Sequence, residues 1–217
     1  MFVSEYISRD YPAFSPEDPA EEAYEICRSF GFTHIFIEEE GYFAGALRQD
    51  FLEDFLESRL SDLRVHYEKF ALPADAGVLE SLPVFHTYNT SVVPIISREE
   101  RYEGYVEYRD VFAELSRYPL FSEAGAVLTL QTPAAHWSMS EISQIVEGSN
   151  GRIHGVFISR INTDSIEITL KISSGGLSSI EETFERYGYI IINKHYQNER
   201  DELMRQRFDF LQKYIEV

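Results

Sequence analysis

The chain has 217 residues, 44% of them hydrophobic, which is enough to bury one large core or two smaller ones. Acidic residues outnumber basic ones 37 to 19, and residues 1 to 60 alone carry 14 acids and 4 bases, so nucleic acids and anionic membranes are disfavoured as partners. A single cysteine excludes an internal disulfide, and neither a leader nor a membrane-spanning stretch is visible, so we expect a cytoplasmic protein of bacterial style.

The first 60 residues are typical of one β-α-β-β-α unit. A helix is predicted over residues 20 to 30, because apolar side chains recur on one face and Gly31 follows as a stop. Asp18 precedes this helix and is expected to cap its unpaired N–H groups. Two strands, over residues 35 to 37 and 43 to 47, and a second helix that opens at Asp50 complete the unit.

Residues 61 to 121 repeat this order. The segment FSPEDPAEEA (14 to 23) corresponds to ALPADAGVLE (71 to 80) at an offset of 57, Thr33 corresponds to Ser91 at 58, and Asp50 corresponds to Asp110 at 60. The second repeat should contain a helix near 77 to 87, strands over 92 to 96 and 105 to 107, and a helix from Asp110. Each unit is too small to bury its own sheet, so we expect the two to pack as a pair.

This pair resembles a tandem of cystathionine-β-synthase (CBS) domains spanning residues 1 to 121. The family's Gly-x-x-Thr-x-x-Asp motif is matched by Gly104-Tyr-Val-Glu107-Tyr-Arg-Asp110, and Ala44 to Asp50 stands in the same register in the first repeat. The family's Ser-x-Leu-Pro-Val-Val-Asp stretch is matched by residues 91 to 97, with Pro94 kept. The resemblance implies an α/β fold in which two such domains share clefts.

The resemblance also implies an adenosyl ligand. In family members that bind one, the aspartate holds the ribose hydroxyls and the threonine hydroxyl helps to place phosphate at the helix start, where N–H groups favour an anion. The candidate ligand-binding residues are Phe14, Thr33, His34, Arg48, Asp50, Ala71, Ser91, Val93, Pro94, Glu107, Arg109 and Asp110.

The motif departs from the family at two positions that bear on phosphate. Leu47 offers no hydrogen bond, and Glu107 brings a negative charge to where a phosphate would lie, so S-adenosylmethionine fits better than ATP. Two alternatives stay open. Arg48 and Arg109 can pair with acidic neighbours instead of an anion, and Asp50 and Asp110 can be plain helix N-caps.

Residues 122 to 196 predict the β-α-β-β-α-β order of a ferredoxin-like domain. A strand over 127 to 130 is followed by a capping box, Ser138-x-x-Glu141, which opens a helix. A hairpin follows over 156 to 161 and 166 to 172, then Ser178-x-x-Glu181 as a second capping box, and a last strand over 189 to 192.

The element order resembles an ACT domain, a module that often binds amino acids at subunit interfaces. Its first β-α loop supplies the candidate ligand residues Ala135, His136 and Trp137 but lacks the usual glycine, and an aromatic residue there can equally be a hydrophobic staple. Residues 197 to 217 predict a terminal amphipathic helix with Met204, Phe208, Leu211 and Ile215 on one face. That face should pack on the body of the protein or on a second subunit.

No catalytic motif is present. The chain has no nucleophile elbow, no phosphate-cradling loop and no His-Glu-x-x-His, and its six histidines are scattered without metal-ligand spacing. We therefore expect no enzyme, no metal and no cofactor other than a regulatory adenosyl ligand. The expected function is a homodimeric, non-enzymatic regulator that senses an adenine nucleotide or S-adenosylmethionine and acts on an unknown protein target. The alternatives are a ligand-free dimerisation or partner-binding scaffold, and amino-acid sensing through the ACT-like domain.

Overall fold

The computed structural model describes residues 2–173 and 175–196, which belong to two compact units. The first unit ends at Leu115, and the second begins at Ser116, whereas the sequence places the boundary at residue 122. The difference arises because Pro119–Ser122 forms a helical turn that packs inside the second unit, where Leu120 lies against Gly155. The predicted terminal helix over 197 to 217 lies outside the described residues.

The first unit contains both expected repeats, but only the second has the full β-α-β-β-α order, because the leading strand of the first is reduced to a single bridge from Phe14 to Ile37. The first repeat consists of α1 (Ala20–Phe30), β1 (His34–Glu39), β2 (Tyr42–Arg48) and the short helix α2 (Gln49–Leu52). The second consists of β3 (Leu72–Pro73), α3 (Val78–Thr87), β4 (Val92–Ile96), β5 (Tyr102–Glu107) and α4 (Tyr108–Leu115). Short 3₁₀ segments lie at Val3–Tyr6, Glu53–Phe55 and Leu60–His66.

A local two-fold relation connects the repeats through pairs of equivalent contacts. Phe14 pairs in parallel with Ile37 of β1, as Leu72 pairs with Ile95 of β4. The irregular segment that precedes each repeat, its leading segment, pairs with a strand of the other repeat. Ser8 pairs with Tyr105 of β5, and Glu68 pairs with Ala46 of β2. The expected internal pairing of two half-sized modules is therefore confirmed.

The strand register corrects the predicted equivalence of Asp50 with Asp110. Gly45 lies opposite Ile37 in β1, and Gly104 lies opposite Ile95 in β4, so the second strands correspond at an offset of 59. At that offset Asp50 corresponds to Arg109, and the position of Asp110 is taken in the first repeat by Phe51. To match Asp50 with Asp110, the turn between the two paired strands of the second repeat would need one more residue than it contains.

The helix caps also differ from the prediction. Asp18 accepts a hydrogen bond from the Ser15 N–H at 2.7 Å, and the N-cap residue of α1 is Pro19. Asp18 therefore stabilises the preceding turn rather than the helix. Asp50 and Asp110 are not N-caps either, because they are the second and third residues of α2 and α4. Gly31 does end α1, with φ of 69° and its N–H on the Arg28 and Cys27 carbonyls.

The second unit has the ferredoxin-like plan. Its elements are the helical turn α5 (Pro119–Ser122), β6 (Ala126–Pro133), α6 (Met139–Gly148), β7 (Ile153–Ile161), β8 (Ser165–Ile172), α7 (Leu177–Arg186) and β9 (Ile190–Tyr196). The strands pair in the order β7-β8-β6-β9 and are antiparallel throughout. Alternate residues of β6 and β8 bury against α6 and α7 in one apolar cluster, which includes Leu128, Ile168, Val146 and Phe184.

Of the two predicted capping boxes in this unit, one forms by half, since the Ser138 N–H donates to the Tyr189 hydroxyl at 3.4 Å and not to Glu141. The Ser138 hydroxyl accepts the Glu141 N–H at 3.3 Å at the start of α6. Ser178 lies inside α7, which instead begins after Gly176 in the left-handed region at φ of 72°. Across residues 2–173 and 175–196 there is no helix with both the length and the apolarity that a membrane crossing requires.

Candidate functional site

Two of the predicted ligand residues of the first unit, Thr33 and Ser91, meet at the end of the local two-fold axis. The Thr33 N–H donates to the Ser91 hydroxyl at 3.1 Å, and the Ser91 N–H donates to the Thr33 hydroxyl at 2.9 Å. The helices open beside them, because the Gln49 N–H bonds the Thr33 carbonyl and the Tyr108 N–H bonds the Ser91 carbonyl. The structure thus brings both hydroxyls and both helix starts together.

The first-repeat side of this site is closed by ion pairing. Arg48 donates two hydrogen bonds to the Asp50 carboxylate, at 2.9 and 2.5 Å. This guanidinium holds the pKa of the Asp50 carboxyl below its usual range. Both groups are substantially exposed, so the pair contributes little to stability and serves mainly to neutralise the helix start.

His34 lies fully buried behind this pair. Its Nε2 is 3.1 Å from Glu68 Oε2, and its Nδ1 is 2.9 Å from the Thr33 hydroxyl. With Glu68 ionised, Nε2 donates its proton and Nδ1 accepts one from Thr33, so the neutral imidazole satisfies both contacts. Burial lowers the pKa of His34, against the opposing charge of Glu68.

In the second repeat the acidic and the basic residue of the ion pair exchange positions. Glu107 corresponds to Arg48, and Arg109 corresponds to Asp50, and these two form their own ion pair at 3.0 Å. Asp110 follows in the first turn of α4, partly exposed, and forms neither a hydrogen bond nor an ion pair with any described residue. It is therefore the carboxylate of this site that remains available to a hydroxyl-bearing ligand.

Aromatic rings of the protein fill the space between the repeats. Tyr11 is buried and meets Phe32, Phe36 and Tyr105 edge to face, with ring centroids 4.9 to 5.9 Å apart. Its hydroxyl donates to the His34 carbonyl. Among the remaining predicted ligand residues, Val93 and Pro94 belong to the buried strand β4, Phe14 is buried where it bridges to Ile37, and Ala71 is half-buried.

Sequence reasoning missed two residues that shape the site, Tyr11 and Glu68. Both lie in the irregular segments that precede the first strand of each repeat, where neither periodicity nor a motif marks them. The only available signal was the repeat itself, since Phe70 lies near the position equivalent to Tyr11 and packs against His34. Within the ranges that the structure covers, no cluster of three metal-ligating side chains occurs.

In the first β-α loop of the second unit, two of the three candidate ligand residues are exposed and the third is packed on the core. Ala135 and His136 are exposed in a turn, with the His136 N–H on the Pro133 carbonyl at 2.9 Å. Trp137 packs against the apolar core of the unit, as a staple residue does.

Comparisons with known proteins give structural neighbours only. No family model matches the chain, and no curated protein matches it either. Among solved structures, a CBS domain pair/ACT domain protein from Thermotoga maritima matches with 19% identity and a TM-score of 0.48, over 53% of this chain and 96% of that one. The CBS domains of a transcriptional regulator from Streptococcus pneumoniae match with 14% identity and a TM-score of 0.47, over 52% and 98%.

A third neighbour is the cytosolic domain of the Mg²⁺ channel MgtE, solved in complex with ATP, with 20% identity and a TM-score of 0.41 over 52% of this chain and 46% of that one. Each likeness covers about half of this chain at low identity, so the site is interpreted from its own contacts. The paired repeats and the order of the strands show an α/β unit built from two related halves, followed along the chain by a ferredoxin-like unit.

Proposed function

We propose that this chain is a non-enzymatic regulatory protein whose first unit senses an adenosyl compound near Asp110. The observation that supports the proposal is the unengaged Asp110 carboxylate in the first turn of α4, two residues after Tyr108, whose N–H bonds the Ser91 carbonyl. A carboxylate in this position can accept both hydroxyls of a ribose. The absence of enzymatic activity rests on the lack of catalytic motifs in the sequence.

The charge around Asp110 favours an adenosyl compound without phosphate. Glu107 is largely buried, and Arg109, the cation that pairs with it, is exposed at the surface. A phosphate at the start of α4 would meet Glu107 and Asp110 together, and like charges at contact distance repel strongly away from bulk water. S-adenosylmethionine, with a cationic sulfonium, meets no such penalty.

Calorimetric titration of the full chain with S-adenosylmethionine, AMP and ATP tests this proposal. We expect S-adenosylmethionine to bind tightest, and Asp110→Asn to weaken it by about tenfold, the loss of hydrogen bonds to a charged acceptor. Asp50→Asn is the matched control, because Asp50 is already paired with Arg48. Tighter binding of ATP, or equal losses in the two variants, would contradict the proposal.

A second candidate function, a ligand-free scaffold, is favoured by the packing of Tyr11. This ring and its aromatic neighbours occupy the space between the repeats, and Arg48 and Glu107 are each neutralised within their own repeat. On this proposal the unit serves to hold two copies of the chain or a protein target. A thermal-shift screen that stays flat for all three adenosyl compounds would support it, because a ligand specific to the folded state must raise the melting temperature.

A further inference from the structure

A cavity of about 520 Å³ opens in the first unit at the far end of the strands from Thr33 and Ser91. Its lining includes Arg9, Tyr11, Glu38, Tyr102, Glu103 and Gly104. Glu38 lies near the end of β1, and Tyr102 begins β5, so the cavity shares neither Asp110 nor Asp50 with the proposed adenosyl site. A volume of this size is ordinary for a small-molecule site.

The polar groups of this cavity are left without partners. The Tyr102 hydroxyl is buried and forms no hydrogen bond within residues 2–173 and 175–196, and its pKa is raised, chiefly by that burial. The side chains of Arg9, Glu38 and Glu103 make no hydrogen bond or ion pair to any residue that the structure describes. A buried hydroxyl without a partner is rare in folded proteins and calls for an explanation.

The local two-fold relation supplies a comparison within the same molecule. The equivalent cavity, of about 490 Å³, is lined by Phe43 and Ala44 at the positions of Tyr102 and Glu103. Both cations of that cavity have partners, because Arg64 pairs with Glu39 at 3.0 Å and the Lys69 ammonium donates to the Ala44 carbonyl. Arg9 differs from these cations in having no such partner among the described residues.

We propose that the Tyr102 cavity binds a small basic amino acid or a similar amine that carries one carboxylate. Arg9 faces the ligand carboxylate, and the Tyr102 hydroxyl turns towards it to donate a hydrogen bond. Glu38 and Glu103 each take one ammonium group. The two carboxylates and one guanidinium leave a net charge of one negative, which a ligand with two amines and one carboxylate balances.

Isothermal titration of the full chain with L-lysine, L-ornithine, L-leucine and putrescine tests the ligand class. We expect L-lysine and L-ornithine to bind about tenfold or more tightly than L-leucine, which lacks the second amine, and than putrescine, which lacks the carboxylate. Absence of binding by L-lysine and L-ornithine overturns the proposal, as does equal binding of putrescine.

Two substitutions that copy the equivalent cavity test the location. Tyr102→Phe and Glu103→Ala introduce the residues that Phe43 and Ala44 already provide there, so both are expected to fold. Each should weaken L-lysine binding by about tenfold, whereas Arg64→Ala and Asp110→Asn should leave it unchanged. Tyr102→Phe should also raise the melting temperature of the ligand-free protein. Wild-type affinity in both cavity variants, or loss of L-lysine binding in Asp110→Asn, would show that the site is elsewhere.

Discussion

At the scale of single residues, His34 makes the first unit sensitive to acid. The imidazole is buried against Glu68, Thr33 and Phe70, with Arg48 and Asp50 the other charges that act on it. Because burial lowers its pKa, the unfolded chain takes up a proton near the ordinary histidine value of about 6.5 before the folded chain does. Stability is therefore complete above that pH and is lost as the pH falls below it, by about 1.4 kcal/mol per unit of pKa separation.

The replacement His34→Val tests this expectation, since Val92 occupies the equivalent position of β4. Hydrogen exchange of β1 and β4 should reveal a loss of protection between about pH 7.5 and 5.5, on either side of the ordinary histidine pKa, in the wild type and a smaller loss in the variant. Tryptophan fluorescence provides an internal control, because the one tryptophan, Trp137, lies in the second unit. Identical pH dependence of β1 exchange in the two proteins would show that His34 is not the responsible group.

Gly104 illustrates a second constraint at this scale. Its φ is 134°, and a Cβ there would lie 2.4 Å from the Ser8 carbonyl oxygen and 2.6 Å from Ile7 Cγ2, because the leading segment crosses directly over β5. We expect Gly104→Ala to lower the free energy of unfolding of the first unit by about 2 kcal/mol or more. Gly148→Ala, which meets no atom within 4 Å, is the control in the same urea titration. If Gly104→Ala lowers the free energy of unfolding no more than Gly148→Ala does, the close passage of the leading segment over Gly104 is contradicted.

The glycine was visible in the sequence as part of the motif, but the site around it was only partly predictable. Thr33 and Ser91, which lie 58 residues apart, were correctly identified as equivalent positions. In the structure they bond each other across the local two-fold axis. Asp50 was aligned with Asp110, one residue away from its true equivalent, Arg109. The match between the two aspartates was given more weight than the match between Gly45 and Gly104. Glu68 and Tyr11 could not be found, since their roles depend on segments that cross between repeats.

At the scale of elements, the long helices and strands followed from periodicity, whereas the predicted helix N-caps did so only at Ser138. Helix α1 begins and ends where the apolar face and Gly31 placed it, and β4 matches its predicted bounds. Caps depend on backbone geometry over two or three residues, which sequence patterns describe poorly. Ser138 and Ser178 carry the same motif, yet the left-handed Gly176 starts α7 before Ser178 can cap it.

This difference between the two serines can be measured. Ser138→Ala should destabilise the second unit by about 1 kcal/mol, because the Glu141 N–H loses its acceptor at the start of α6. Ser178→Ala, a residue of α7 that caps nothing, should change stability by less than about 0.5 kcal/mol. Urea unfolding followed by the fluorescence of Trp137, next to Ser138 in the chain, gives both values. Equal effects would show that the Ser138 hydrogen bond contributes nothing specific.

At the scale of the whole molecule, the two repeats differ in the helical faces that they expose. The second repeat exposes Leu79 and Leu82 of α3 and Tyr108 and Phe112 of α4, with Phe112 71% accessible. The equivalent residues of the first repeat are Glu21, Tyr24, Gln49 and Glu53, two of them acidic. The two repeats therefore share their backbone order, but only the second exposes apolar side chains at all four of these positions.

This apolar face is where a second copy of the chain can approach. The chain carries a net charge of −18, so two copies repel over most of their surfaces, and contact is least costly where exposed apolar residues replace acids. We expect a homodimer through α3 and α4, with a mass twice the 25.2 kDa of the chain in light scattering after size exclusion. Phe112→Glu, which copies Glu53 of the first repeat, should shift the protein to the monomer. Val65→Glu places the same charge at an exposed apolar residue of the Leu60–His66 segment and should leave the dimer intact. A monomeric wild type, or a dimer that survives Phe112→Glu, would exclude this face as the contact.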